Sequence, residues 1–355
     1  MTNAQRERSG ASGSADSSDS TDNEARRTEQ ETGELAQSGA ADRPAVALLG
    51  TGIMGTGMAH SMLRAGMPLT VWNRTAEHAE PLGQDGAQVA SSIEAAVDGA
   101  DLVVTMLTDA GATAGVADTA LPAMREGAVW IQMGTVGVAG IERLIELATD
   151  NDVPLVDAPV SGTRQPAEDG KLLVLAAGPE ILRPRCQALF DAVGSRTLWV
   201  DDTPGAGSRL KLVVNDWMCG LLGALSEAVV LAEHLGLDPR TFLDSIRGGP
   251  VGAPYAGLKG GAMIDHHYEP QFPAKHAAKD VDLALAAVAD GGPELRVTSA
   301  VRSLFAEVLD HGHGDQDMAV LVEAVRASGR DEHEGGRSHG WTEWSEPTGP
   351  RRQAR

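Results

Sequence analysis

The apolar positions of this chain change period once. From Ala45 onward they fall into short apolar-rich runs, continuous at residues 45–49 and 172–176 and interrupted by one or two polar residues at 69–72, 100–107, 128–133, 154–160 and 197–200. Apolar-rich runs of this length, without regular alternation, are the pattern of strands covered on both faces, as in a parallel sheet. Between them apolar residues recur at helical spacing, first at Met58, Ala59, Met62 and Leu63 with Gly66 as a stop, then near 112–124, 140–149 and 180–193. This alternation predicts a doubly wound α/β unit whose ligand crevice lies at the carboxyl ends of its strands. The loops expected there are Leu107-Thr108-Asp109, Gly134-Thr135 and Ser161-Gly162-Thr163. After Pro204 strand signals stop, and apolar residues keep helical spacing from Gly205 through Leu235, then over 241–246, 281–288 and 318–325. The expected organisation is an α/β domain over residues 44–204 followed by an all-helical domain over 205–328.

The flanks differ in kind. Residues 1–43 and 329–355 are rich in Ser, Gly, charge and Pro and poor in large apolar side chains, so they are expected to be disordered tails. Trp341 and Trp344 are expected to be loose within the second tail. With 355 residues, 42% hydrophobic and 22% charged, the rest can bury a large core in two domains. A formal net charge of −21 argues against nucleic-acid or anionic-membrane partners, because phosphate binding needs clustered cations. No secretory leader is expected from the polar start, and no unbroken apolar run reaches the roughly 18 residues of a membrane span. The two cysteines, Cys186 and Cys219, have no metal-ligand or redox spacing and are expected to be reduced core residues of a cytoplasmic protein.

Candidate chemistry begins directly after the first strand. Gly50-Thr-Gly52-Ile53-Met54-Gly55 lies between a strand and a helix, the context in which G-x-G-x-x-G binds a dinucleotide. The first glycine permits the turn, the second admits a pyrophosphate, and the third packs helix on strand, with the helix N-terminus attracting phosphate charge. The second strand ends in Asn73-Arg74-Thr75, where such folds place an acid that would repel a 2′-phosphate. The acid is absent, and Arg74 offers a forked cation, which points to NADP in preference to NAD. The alternative is that Asn73 only caps the turn and Arg74 is solvated. Met106 and Leu107, ending the next strand, complete this cofactor-binding set.

In the helical half, Lys211 and Asn215 interrupt an apolar run four residues apart, and so share one helix face. A lysine there either snorkels to water or is buried, where it loses basicity and becomes available for proton transfer.

At Asp157-Ala-Pro-Val-Ser161-Gly162-Thr163-Arg-Gln-Pro-Ala-Glu-Asp-Gly-Lys-Leu172 the chain resembles the β-hydroxyacid dehydrogenases, a superfamily that includes 3-hydroxyisobutyrate and 6-phosphogluconate dehydrogenases. It is most similar to the glyoxylate/succinic semialdehyde reductase branch. The glycine turn, the Ser-Gly loop, Gly-x-x-x-Lys211-x-x-x-Asn215 and Phe272-Pro-Ala-Lys-His-Ala-Ala-Lys279-Asp280 follow in the family's order over roughly residues 45–326. The resemblance implies a Rossmann-type domain followed by a 6-phosphogluconate dehydrogenase-like helical domain. It implies that Lys211 is the catalytic acid/base, supported by Asn215. Ser161 and the backbone of Gly162 and Thr163 would bind a substrate carboxylate, with Phe272 and Asp280 lining the site. Thr135 would lie by the nicotinamide and Lys279 would contact the cofactor. One departure stands out: the family's Asp-x-Ser-Thr reads Gln132-Met-Gly134-Thr135 here.

The residues have less specialised readings too: Ser161 as a turn former, Asn215 as a satisfied buried amide, and Asp280 as the partner of Lys279 on a helix surface. The expected activity is NADPH-linked reduction of a small carbonyl acid, or oxidation of the matching hydroxyacid, without a metal. Two alternatives are an imine reductase of the same plan, against which Lys211 counts, and a catalytically idle cofactor-binding module. The long apolar helix predicts a homodimer through the helical domain.

Overall fold

The computed structural model describes residues 43–334, with side chains described through residue 328, so Trp341, Trp344 and most of both expected tails lie outside it. The chain folds into two compact units. One runs to Gly134 and resumes over Arg143–Pro204; the other comprises Thr135–Glu142 and the chain from Gly205 on.

The first unit is built on six parallel strands: β1 (Val46–Leu49), β2 (Leu69–Trp72), β3 (Gln88–Val89), β4 (Leu102–Thr105), β5 (Val129–Gln132) and β6 (Leu155–Asp157). Their order is β3-β2-β1-β4-β5-β6, so the direction of winding reverses between β1 and β4. A reversal of this kind opens a crevice at the carboxyl edge. Both faces of β1 are covered: Val46 and Leu48 join the cluster containing Met58, Met62 and Phe190, while Ala47 and Leu49 join the cluster of Val97, Val103 and Ala120. Burial on both faces explains the apolar-rich runs. The register brings Trp72, Leu49, Thr105, Gln132 and Asp157 into one row of strand ends. Helices α1 (Ile53–Arg64), α4 (Ala110–Ala123) and α5 (Gly137–Asp150) return the chain between strands. Short α2 (Glu80–Gln84), α3 (Ile93–Val97) and β3 were not expected, because pieces of two to five residues carry no periodicity.

Beyond β6 the parallel pattern ends. β7 (Val160–Ser161) and β8 (Leu172–Ala177) are antiparallel, joined by α6 (Arg164–Glu168). The stretch between them is too short for a parallel crossover, which needs about a dozen residues or more. α7 (Arg183–Val193) then allows β9 (Gly194–Asp201) to return parallel to β8. The register is unbroken from Asp157 facing Ala177 to Val160 facing Val174 and Ser161 facing Leu173. β7 thus prolongs β6 across Pro159, whose missing N–H interrupts the ladder. The prolongation carries Ser161 about 13 Å past Asp157 at ~3.3 Å per residue.

The second unit is a bundle around α8 (Ala206–His234), with α9 (Pro239–Ile246), α10 (Pro254–Ile264), α11 (Ala274–Ala286), α12 (Arg296–Asp310) and α13 (Leu321–Glu334). Cys219, Leu222, Leu225 and Val229 of α8 pack with Met263, Val281, Phe305 and Leu321. α10 and α12 were not expected. Gly260, Gly261 and Ala262 blur the period of α10, yet Gly260 is where it meets α9: a Cβ there would lie 2.8 Å from Leu243 Cδ2. By length and mean hydropathy, 1.3 over 18 residues, α8 would reach across a bilayer, contrary to the expectation from unbroken runs. The average tolerates scattered polar residues that a run does not. Here Lys211, Asn215 and Ser226 lie on the buried face of α8 with those core residues.

Candidate functional site

The first unit supplies a cradle at the row of strand ends. Gly50 follows β1 with φ +111°, and a Cβ there would lie 2.4 Å from the Met106 carbonyl oxygen. A Cβ on Gly55 would lie 2.0 Å from the Gly50 carbonyl oxygen, so α1 can start here only without a side chain at that position. Gly52 differs: no atom lies within 4 Å of its Cβ position. It is the N-cap of α1, which has neither a side-chain cap nor an acid in its first turn. The first-turn amides around Ile53, Met54 and Gly55 therefore lack intrahelical acceptors. The Thr51 hydroxyl is buried and without a partner. Open space over a glycine, uncapped amides and an orphaned hydroxyl together fit the pyrophosphate of a dinucleotide.

Asn73 braces this turn. Its Oδ1 accepts from the Thr51 amide at 3.2 Å and its Nδ2 donates to the Thr75 carbonyl at 2.9 Å. The capping reading of Asn73 therefore describes its side-chain bonds. Arg74 and Thr75 are exposed at the end of β2, and Arg74 takes part in none of the ion pairs among the described residues. Met106 and Leu107 are half-buried at the end of β4. Ser161 stands at the tip of β7 and Gly162 (φ +144°) follows it, with Thr163 opening α6 but not capping it through its side chain. All three follow β6 and its prolongation β7 beyond the carboxyl edge of the sheet, the edge from which the glycine turn also emerges.

The second unit gathers the remaining candidates. Lys211 and Asn215 lie one turn apart on α8, 8% and 2% exposed. Lys211 therefore does not snorkel. Asn215 Nδ2 donates to Asp280 Oδ2 at 2.6 Å, which ties α8 to α11. Asn215 Oδ1 is buried with no partner, which leaves an acceptor beside the lysine. Asp280 is 2% exposed, so its contact with Lys279 is not a surface pair: Lys279 Nζ lies 3.0 Å from Asp280 Oδ1, without hydrogen-bond alignment. Lys279 also donates to the Thr135 carbonyl at 2.7 Å, engaging the segment that joins this unit. Burial lowers the Lys211 ammonium to about 8, opposed by the Asp280 carboxylate.

One polar group in this unit carried no sequence signal. Lys259 Nζ and Asp317 Oδ1 form an ion pair of 2.6 Å, each side chain 3% exposed. Asp317 also accepts from the amides of Gln271, Phe272 and Ala319. It thus anchors the half-buried Phe272 and the approach to α11, which bears Lys279 and Asp280. Neither residue belongs to a periodic or local motif; the topology alone pairs them.

A buried lysine held below its ordinary pKa is a destabilising feature. Below pH 8 the folded state must keep a poorly hydrated ammonium that the unfolded chain hydrates fully. That penalty fades as pH rises from about 8 to 10.5, where both states become neutral. Lys211→Met should raise the unfolding free energy at pH 7 by on the order of 1–3 kcal/mol. The gain should shrink toward pH 10, as read from thermal melts of both proteins across that range.

Residues 45–201 match the model for the NAD binding domain of 6-phosphogluconate dehydrogenase. Residues 205–325 match the model described as NAD-binding of NADP-dependent 3-hydroxyisobutyrate dehydrogenase. Glyoxylate/succinic semialdehyde reductase 1 of Arabidopsis thaliana is 35% identical over 80% of this chain and 99% of its own. The chloroplastic reductase 2 of the same plant is 33% identical over 80% of each. Among solved structures, 3-hydroxyisobutyrate dehydrogenase from Salmonella typhimurium superposes with a TM-score of 0.73 at 25% identity, over 79% of this chain and 99% of that one. The fold, the glycine cradle and these matches lead to one conclusion: the chain belongs to the β-hydroxyacid dehydrogenase superfamily of NAD(P)-dependent oxidoreductases.

Proposed function

We propose that the protein is an NADPH-dependent reductase of small carbonyl acids, of the glyoxylate or succinic semialdehyde kind, or of the matching 3-hydroxyacid/semialdehyde pair. Lys211 is its general acid/base. The observation that carries this reading is the buried Lys211, depressed to about 8, one helical turn from an Asn215 that Asp280 holds at 2.6 Å. A group poised near neutrality can both give and take a proton, which contributes about 10²–10⁴-fold to such reactions.

When bound, the reduced nicotinamide supplies a hydride equivalent. Lys211 gives a proton to the carbonyl oxygen that gains the electron pair and, now neutral, regains a proton from solvent. Asn215 holds the reacting oxygen or the lysine through its free Oδ1 or its amide. Ser161 with the amides of Gly162 and Thr163 receives the substrate carboxylate, and Phe272 and Asp280 line the site. Thr135 and Lys279 serve the cofactor, together with Gly50, Gly52, Ile53, Met54, Gly55, Met106 and Leu107. Arg74, exposed and outside the described ion pairs, receives the 2′-phosphate. The proposed setting is cytoplasmic, consistent with two free buried thiols at Cys186 and Cys219.

Three measurements address the chemistry and the cofactor. Lys211→Ala should lower turnover at least 10²-fold while NADPH still binds; surviving turnover would assign the proton to another group. Wild-type enzyme should oxidise NADPH with glyoxylate or succinic semialdehyde and not with a cyclic imine. A preference for the imine would favour an imine reductase, and binding without any turnover an idle module. Arg74→Ala should weaken NADPH by about tenfold and leave NADH nearly unchanged, and equal losses would remove the 2′-phosphate role.

The proposed assembly is a homodimer through α8. Val213, Trp217, Leu231 and Leu235 are exposed along one side of this helix, Trp217 by 64%, and small residues such as Ala224 separate them. An apolar stripe along a helix about 43 Å long, at 1.5 Å per residue, suits an isologous contact with its own copy. Sedimentation should give a dimer for the wild type and a monomer for Trp217→Asp; a monomeric wild type would rule the contact out.

A further inference from the structure

Gln132 ends β5, is fully buried, and turns its side chain back onto its own backbone. Oε1 accepts from the Gly134 amide at 2.7 Å, and Nε2 donates to the Gly134 carbonyl at 2.8 Å. The sheet serves the two residues before Gly134: the Met133 amide donates to the Thr105 carbonyl, and the Ala158 amide donates to the Gln132 carbonyl. Gly134 lies past the last ladder pair, and a side chain takes the place of a neighbouring strand for both of its main-chain groups. The glycine is needed as well. A Cβ on Gly134 would lie 2.7 Å from the Leu107 carbonyl oxygen and 3.2 Å from Gln132 Oε1. On its other side, the Met106–Leu107 backbone abuts Gly50, where a Cβ would meet the Met106 oxygen at 2.4 Å. The chain after β4 is therefore gripped between two bare backbones, and Gln132 fixes one of them.

We propose that Gln132 is a positioning residue for the cofactor-binding edge: its amide, acting through Gly134, sets the Met106–Leu107 loop and the direction in which the chain enters Thr135. This rests on the reading above that Met106, Leu107 and Thr135 meet the cofactor. Gln132 and Gly134 then form one device. A shorter side chain at 132 would not reach both Gly134 groups, and a side chain at 134 would push Leu107 away. An apolar residue would fill the strand end without burying a polar amide, so packing alone gives no reason for glutamine.

The test uses a property of the amide. Protonated glutamic acid offers the same pair of groups, an O–H to donate and a C=O to accept, whereas the carboxylate has nothing to donate to the Gly134 carbonyl. NADPH affinity is measured by nicotinamide fluorescence on the full chain for wild type, Gln132→Glu and Gln132→Met, at about pH 6 and about pH 9, across the range where a buried Glu titrates. Circular dichroism confirms folding at each pH. The ratio of the Gln132→Glu dissociation constant to that of wild type should stay near one at the lower pH. It should rise about tenfold at the higher pH, the loss expected for the missing bonds. Gln132→Met should weaken binding about tenfold at both. A role in stability alone would lower the melting temperature and leave these ratios flat. Unchanged affinity in Gln132→Met, a pH-independent ratio for Gln132→Glu, or loss of folding in both variants overturns the proposal. Failure of the wild type to bind NADPH or NADH would instead overturn the cofactor-edge reading on which it rests.

Discussion

Desolvation of a single ammonium is the constraint on which the helical unit turns. Lys211 has given up most of its hydration, and Asp280 returns part of what was lost without touching bulk water. The carboxylate can do this because it is itself held, by the Asn215 amide at 2.6 Å and by the Lys279 ammonium at 3.0 Å. Two cations, one buried and one partly exposed, neighbour a single buried anion. The uncompensated charge keeps Lys211 closer to neutrality than a simple ion pair would, since an opposite charge favours the ammonium and a like charge opposes it.

The α/β unit meets a different demand, that of bringing backbone close to a ligand. Register does most of it: five strands stop in one row, so whatever follows each strand emerges at the same edge. Glycine then removes side chains where main chains converge, at Gly50, Gly55 and Gly134, while at the turn itself Gly52 leaves open space. The contrast among these glycines is informative. Three are glycine because protein presses on them, and one because nothing does.

Much of this was legible in the sequence. The apolar-rich runs of β1, β2, β4 and β5 carried the parallel sheet, and the glycine turn announced itself by lying between strand and helix. Lys211 and Asn215 shared a face by spacing alone. Other features had no local signature. β7 hides behind Pro159 because its pairing depends on a register set ten residues later. α10 is masked by the glycines that let it pack. Gln132 read as a loss relative to the family's motif, because the contact that gives it meaning is with a carbonyl and an amide, which every residue has. Lys259 and Asp317 lie far apart in the chain, and only the bundle brings them together.

That last pair has a historical consequence. A carboxylate that steadies three amides and a dehydrated lysine cannot be exchanged alone, since removing either charge strands the other at a cost of about 3–5 kcal/mol. A lineage changing one codon at a time would have to pass through a poorly folded ancestor to replace them. The two positions are therefore expected to be inherited as a unit, whatever happens to the substrate the enzyme accepts.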